Sequence, residues 1–264
     1  MSQNDPVGVQ RGDYGRYLLS NILFSIGRGL TGPAQYLIIS AHPLGRFFGI
    51  PRPPTGGFIT VPVPVLGTQT QTPTHHTLVL AVPRYQGLAA LMPGILSLKH
   101  IFWINCLCRE KVTLPFVTFA VLSDFVYETI SSLVFTAASS NPMFSDRWFK
   151  IGAACFFAGA LLETVADVQL ALFKSKPENK GKVCKSGCWR ICRQINYTAN
   201  ILFGFGYGLA LGGPGYSVAT AGMYISNFVL NAGPGKEKYC REKYGKQWED
   251  YEREVPYVLF PGIY

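Results

Sequence analysis

Charge is scarce in this sequence. Only 15% of its 264 residues are Asp, Glu, Lys or Arg, against about 25% in soluble domains, while 48% are hydrophobic and 14% aromatic. That balance excludes an ordinary water-soluble globule. Acids are the scarcer sign, 15 against 24 Lys plus Arg, for a formal charge of +9. The surplus is not spread as a stripe over a surface. Seven cations and one acid fall between Lys174 and Arg193, and six of each sign between Lys236 and Glu254. Short basic segments beside apolar stretches follow the positive-inside rule of membrane proteins, so a nucleic-acid partner is not expected. A cleavable leader is missing too: residues 1–16 carry Asp5, Arg11, Asp13 and Arg16 and no apolar core ending in small residues. Tyr17 onward therefore reads as a retained span.

A disulfide framework is also lacking. Of seven cysteines, Cys106, Cys108, Cys184, Cys188, Cys192 and Cys240 fall in segments read as cytosolic, where thiols stay reduced, and Cys155 falls within a span. Cys184, Cys188 and Cys192 recur every four residues, which on a helix would align three sulfurs. With no histidine near them to complete a tetrahedral site, no metal is expected; acylation at the membrane interface is the other chemistry open to them.

What is present is a succession of apolar stretches. Tyr17 to Ser40, Tyr85 to Leu107, Val112 to Ala138, Phe149 to Phe173, Ile195 to Leu211 and Tyr216 to Ala232 each have membrane-spanning length, and Gly212-Gly213-Pro214-Gly215 joins the last two as a tight turn. The expected fold is an all-α polytopic membrane helical bundle of about six spans with a C-terminal amphipathic cytosolic segment. Residues 1–16 form a cytosolic N-terminus, 17–150 the N-terminal spans with an irregular Pro/Gly-rich loop over 41–76, and 151–264 a C-terminal module. An even number of spans places both termini on one side, with the basic segments cytosolic.

Four carboxylates interrupt these spans. Asp124 and Glu128 stand four apart, as do Glu163 and Asp167, so each pair shares a helix face. A charged carboxylate facing lipid costs at least about 2.5 kcal/mol at a helix centre. The pairs are expected either as proton donors in an enclosed cavity or as connectors bonded to Arg28, Asn105, Tyr127 or Gln169.

The tail carries Cys240, Lys243, Tyr244, Gly245, Trp248, Tyr251, Val255, Pro256, Tyr257, Pro261, Ile263 and Tyr264 at the spacing Cys-x-x-Lys-Tyr-Gly-x-x-Trp-x-x-Tyr followed by Val-Pro-Tyr and a final Ile-Tyr. It closely resembles the C-terminus of the sterol C=C reductases. Glu163, Asp167 and Gln169, then Gly187-Cys188-Trp189 and Arg193-Gln194-Ile195-Asn196-Tyr197, are similar to segments of the wider steroid-reductase-like membrane family of DUF1295 type. The resemblance spans Ala160 to Tyr264. It implies an endoplasmic-reticulum enzyme that reduces a C=C bond of an apolar lipid with NADPH held between the last spans and the tail. Asp167, Gln169, Trp189, Arg193, Asn196, Tyr197, Lys243, Tyr244, Trp248 and Tyr251 are the implied pocket residues, with Tyr197 as a candidate proton donor beside the acids. The family's His-Pro is Gln194-Ile195 here, its following acid is Asn200, and its Arg-rich stretch before the tail is Gly233-Pro234-Gly235-Lys236.

Those departures keep other readings open. One is a cofactor-free isomerase, cyclase or epoxide-opening enzyme using the intramembrane acids. Another is an isoprenylcysteine-methyltransferase-like enzyme, since that family shares the Arg-His-Pro type motif. A sterol-binding or scaffolding protein is the non-enzymatic reading. Without a cofactor, Tyr244, Trp248 and Tyr251 would form the interfacial face of an amphipathic helix. The expected partners are the bilayer and a hydrophobic small molecule; oligomeric state has no signal in the sequence.

Overall fold

A computed structural model describes residues 10–65 and 76–264. Residues 1–9 of the expected cytosolic N-terminus and 66–75 of the expected loop lie outside the described residues. The chain runs β1 (Gln10–Tyr14), α1 (Leu18–Ala41), α2 (Pro43–Phe48), β2 (Phe58–Val65), β3 (His76–Pro83), α3 (Arg84–Phe102), β4 (Glu110–Lys111), α4 (Leu114–Thr136), α5 (Asp146–Ser175), α6 (Ile195–Asn227), α7 (Gly233–Tyr244) and α8 (Lys246–Glu254). A π-helical turn, Trp103–Leu107, extends α3, and another, Phe228–Ala232, joins α6 to α7.

Helix starts follow local chemistry. The Thr113 hydroxyl accepts from the Phe116 amide at 3.3 Å with Pro115 in the first turn of α4, and the Ser145 hydroxyl accepts from the Trp148 amide at 3.2 Å at the start of α5. Among the described residues, Arg84–Leu107, Leu114–Thr136 and Asp146–Ser175 are long and apolar enough to cross a membrane. The 24-residue α1 and the two arms of α6 lie alongside them, over the segments where the other spans are expected. Burial runs opposite to that of a soluble bundle. Leu18, Leu30, Leu37, Leu122, Leu161 and Val218 face outward, while Arg28, Thr31, Gln35, Ser131, Ser132 and Thr136 are sealed inside. Lipid makes such a surface favourable, and the interior polar groups connect helices.

The turn at Gly212 to Gly215 forms as expected. Gly213 adopts φ 78° and ψ −172°, a conformation costly for any residue with a Cβ, and a Cβ there would also run into the Met143 carbonyl. The second arm of α6 folds back so that Tyr224 meets Phe203 at 5.5 Å and Phe228 stacks on Tyr197 at 4.4 Å. α5 lies against the first arm backbone to backbone, since Gly152 and Gly206 leave no room for a Cβ beside Ala210 and Phe156.

The Pro/Gly-rich segment departs from expectation. Instead of irregular backbone it contains α2 and an antiparallel hairpin in which Phe58 pairs with Pro83 and Val65 with His76. A second small sheet joins β1 to β4, where Gln10 opposes Lys111. The spacing of Cys184, Cys188 and Cys192 does not become a helix face, because only a short 3-10 turn, Gly187–Arg190, separates them.

Segments divide between two ends of the bundle. At one, β1, the loop after α3, the basic segment and the tail converge: the Arg16 guanidinium donates to the Asn105 carbonyl at 2.9 Å and Lys243 to the Tyr14 hydroxyl at 2.6 Å. At the other, Ser139 donates to the Arg52 carbonyl and Asn141 to the Gly212 carbonyl. Thiol reactivity reads out this arrangement. Cys106 is exposed, whereas burial pushes the Cys108 thiol up to about 11 and raises those of Cys184 and Cys192, so little nucleophilic thiolate exists there at neutral pH. Membrane-impermeant maleimide at pH 7.4 is expected to modify Cys106 far faster than those three, as peptide mapping would record. Equal labelling of Cys184 or Cys192 would contradict the buried pocket described below.

Candidate functional site

Two polar constellations occupy the interior. The first lies among α1, α3 and α4. Arg28 is fully buried and donates to both Glu128 oxygens, at 2.8 and 3.3 Å, with Asp124 at 3.4 Å. Glu128 is 1% exposed, and a carboxylate gripped in this way is an interhelical connector rather than a free acid. Asp124 also stands 3.3 Å from His100 Nδ1.

The second constellation lies where α5, the basic segment, α6, α7 and α8 meet. Lys99 pairs with Glu163, and one turn along α5 Asp167 accepts from the Asn196 amide at 3.4 Å. The Asn196 oxygen in turn accepts from Lys236 at 3.3 Å. The Lys236 ammonium sits 4.7 Å from the Tyr197 ring centre and 5.0 Å from that of Trp189, an aromatic pair gripping a cation.

Leu170, Lys174, Val183, Cys184, Trp189, Arg193, Lys236, Cys240, Tyr244, Trp248 and Tyr251 line a cleft enclosing about 50 Å³ of free space. That is room for one or two waters, so a ligand must displace side chains. Trp248 and Tyr251 are 4% and 1% exposed; they point inward, not toward a membrane interface as an amphipathic tail would require. The Tyr251 hydroxyl donates to the Trp189 carbonyl at 2.5 Å and the Trp189 indole to the Ala166 carbonyl at 3.0 Å. The Trp248 indole N–H is buried without a partner among the described residues.

Arg193 is committed elsewhere. It donates to Glu237 at 3.2 Å and to the Val255 and Pro256 carbonyls at 2.8 and 2.9 Å. The Gln194 amide donates to Glu237 at 2.7 Å, and the main-chain N–H groups of Arg193 and Gln194 donate to Tyr257 and Val258 carbonyls. The tail from Val255 to Val258 thus clamps the two residues that lead into α6.

Of the residues expected in the pocket, Trp189, Arg193, Tyr244, Trp248 and Tyr251 line it. Gln169 instead accepts from the Cys188 amide at 2.9 Å and supports the wall. Lys243 turns toward Tyr14 and Tyr239; burial works against its charge, yet bonds to those two hydroxyls hold it above the ordinary lysine value. Lys174 and Lys236, which the sequence marks only as parts of basic segments, also line the pocket. Lys236 was the cation left where the resemblance calls for an Arg-rich stretch.

The family profile described as a protein of unknown function, DUF1295, matches residues 104–255, more than half of the chain. The chain belongs to the DUF1295 family. Its matched region runs from the π-turn after α3 through α8 and contains the whole cleft. Sterol reductases are among the relatives of this DUF1295 chain: it is 34% identical to the 7-dehydrocholesterol reductase of Danio rerio over 33% of its length, and 32% identical to the Delta(14)-sterol reductase of Saccharomyces cerevisiae over 36%. These matches cover only 18% and 22% of those reductases. A probable O-methyltransferase of Ustilaginoidea virens is 27% identical across 89% of the chain and 83% of its own length.

Proposed function

We propose that this DUF1295 chain is a membrane O-methyltransferase that moves a methyl group from S-adenosylmethionine to an oxygen of an apolar small molecule. The observation that carries it is the pocket's chemistry: aromatic walls of Trp189, Tyr244, Trp248 and Tyr251 with an unpartnered Trp248 indole N–H, and an arginine already spent on Glu237 and the tail. A dinucleotide needs several cations for its phosphates, and of the cations lining the cleft Lys174 and Lys236 remain once Arg193 is spent. S-Adenosylmethionine carries a sulfonium and one carboxylate. The Trp189 face would meet the sulfonium once Lys236, which lies over it in this structure, swings to the carboxylate beside Lys174 and the Trp248 indole. Bound there, the donor supplies an electrophilic methyl group. The chain itself excludes water, through Tyr244, Trp248 and Tyr251, and orients the reacting oxygen. The near-full-length likeness to a probable O-methyltransferase supports the reading. So does the gathering of the basic segment, β1 and the tail at one end, which fits an endoplasmic-reticulum protein with that end cytosolic.

NADPH-dependent C=C reduction is the second reading, favoured by the tail residues aligned with sterol reductases. It requires Arg193 or the two lysines to exchange partners for phosphate, with Tyr197 or Asp167 as proton donor. Acid-catalysed isomerisation drew on Asp124 and Glu128, and Arg28 holds Glu128. Ligand-dependent thermal unfolding in detergent separates the readings. S-Adenosylmethionine or S-adenosylhomocysteine at a hundredfold excess over Kd is expected to stabilise the protein by about 2.7 kcal/mol, with no response to NADPH. Stabilisation by NADPH alone would replace this reading with the reductase.

A further inference from the structure

The end of the bundle opposite the cleft keeps an uncovered surface. We propose that α2 and the base of the β2–β3 hairpin lie in the headgroup layer of the leaflet at that end, with Phe47, Phe48, Phe58, Ile59 and Leu80 against the acyl boundary and Arg46, Arg52 and Arg84 on lipid phosphates. The proposal does not depend on the reaction in the cleft.

Hydrogen bonds hold this segment at the level where two spans end. α1 stops at Ala41, and the chain turns there because His42 adopts φ 51° and its ring nitrogen Nε2 meets the Ile50 carbonyl at 2.8 Å. α3 starts directly after β3. The main-chain N–H groups of Arg84 and Tyr85 donate to the Gly57 and Thr55 carbonyls at 2.9 and 3.1 Å, and the Gln86 amide donates to the Ser40 hydroxyl at 2.9 Å. A Cβ at Gly56 would run into the Tyr85 ring. The hairpin base is thus seated on the entry of α3, and α2 on the exit of α1.

Their apolar groups face outward. Phe47 and Phe48 are 81% and 75% exposed and Phe58 61%, with Ile59 and Leu80 exposed as well. They continue the outward stripe of α1, which ends in Leu30 and Leu37. Ile59 pairs with Val82, so Ile59 and Leu80 share one face of the ribbon and Phe58 takes the other. A two-stranded ribbon with apolar groups on both faces is marginal in water. Lipid stabilises it, yet the outer N–H and C=O groups of two lone strands cannot enter the hydrocarbon. The headgroup layer, where water reaches those edges, satisfies both demands.

Charge selects lipid as the partner. No acid occurs between Asp13 and Glu110, and Arg46, Arg52 and Arg84 are exposed with no ion pair among the described residues. Asp146, the acid that begins α5, is taken by Lys150 at 2.6 Å. At the other end the cations find partners within the chain, Arg241 on Glu252 and Lys185 on Glu254. Three free guanidiniums beside exposed phenylalanine rings match a phosphate layer above acyl chains, the stems reaching up as the rings sink. A second copy of the chain would bring the same three cations to the contact and be repelled.

The test places the full chain in phosphatidylcholine nanodiscs that include phosphatidylcholine with a diazirine on its acyl chain. On illumination, lipid adducts are expected on residues 43–48 and 58–59 as well as on Leu30 and Leu37 of α1, as peptide mapping would record. Phe48→Cys gives a second readout. A sulfonated maleimide, kept from the acyl boundary by its charge, is expected to modify that position about tenfold or more slowly than the exposed native Cys106. Adding Arg46→Glu, Arg52→Glu and Arg84→Glu should bring the two rates within about twofold, since like charges then push the segment off the phosphates. Should a variant fail to fold, the adducts on wild-type protein decide. Absence of adducts on residues 43–48 in protein whose α1 carries them overturns the proposal. So does labelling of Phe48→Cys as fast as that of Cys106, protection that survives the charge reversal, or protection without lipid adducts, which would mean that protein covers α2.

Discussion

Arg28→Met is expected to be the most destabilising single change in the N-terminal half of the chain. It leaves Glu128, 1% exposed, and Asp124 without the guanidinium that compensates both. Breaking a buried ion pair from one side costs about 3–5 kcal/mol, and helices meeting lipid offer the stranded carboxylate no water. The measurement is the temperature at which detergent-solubilised protein loses its monodisperse peak. Adding Glu128→Gln to Arg28→Met should recover part of the loss, because it removes the sealed unpaired charge and leaves only Asp124, which is partly exposed and keeps His100 at 3.3 Å. A single variant as stable as wild type would mean that the triad does not hold α1 to α4. Arg28→Lys should recover less than the double change, since an ammonium cannot bond to both Glu128 oxygens in fork geometry.

Arg193→Leu is expected to release the tail. One guanidinium binds Glu237 on α7 and the carbonyls of Val255 and Pro256, so its loss strands an acid and two acceptors together. The cost should again be about 3–5 kcal/mol, concentrated locally. Limited proteolysis, read by mass, should cut between α8 and Tyr264 at least tenfold faster than in wild type, and stabilisation by S-adenosylhomocysteine should disappear. If Arg193 contacted the cofactor instead, ligand response would vanish while the tail kept its protease resistance. The two assignments therefore give different patterns in one pair of measurements.

Much of this architecture could be read along the chain. Unbroken apolar runs bounded by Thr113-Leu114-Pro115 and Ser145-Asp146 announce α4 and α5, and Gly212 to Gly215 admits no structure but a reversal. The hairpin of β2 and β3 was hidden because Pro62 and Pro64 interrupt the usual strand signal; they are accommodated in a sheet of only two strands, where one side of each is unpaired. The site divided in the same way. The pocket role of the tail aromatics follows from the resemblance to sterol reductases, since their spacing alone suits an interfacial helix face, and an acid buried in a span calls for a partner such as Arg28. The role of Arg193 was not, because its acceptors are main-chain carbonyls of Val255 and Pro256, which leave no trace in residue type. The pocket role of Lys174 and Lys236 leaves no mark in the sequence, because long side chains at the ends of basic segments look like topology markers until the fold turns them inward.

The clamp between Arg193 and the tail bears on biosynthesis. Arg193 lies 62 and 63 residues before its two carbonyl partners, and the acceptors for the main-chain N–H groups of Arg193 and Gln194 arrive only with Tyr257 and Val258. During translation α5 and both arms of α6 precede the tail, so the nascent chain passes through a stage with its helices in place and its cleft open. Closure of the cleft is therefore a late docking step of the tail rather than part of helix formation, and nascent chains stalled before residue 255 would hold these helices with Arg193 still lacking its tail acceptors.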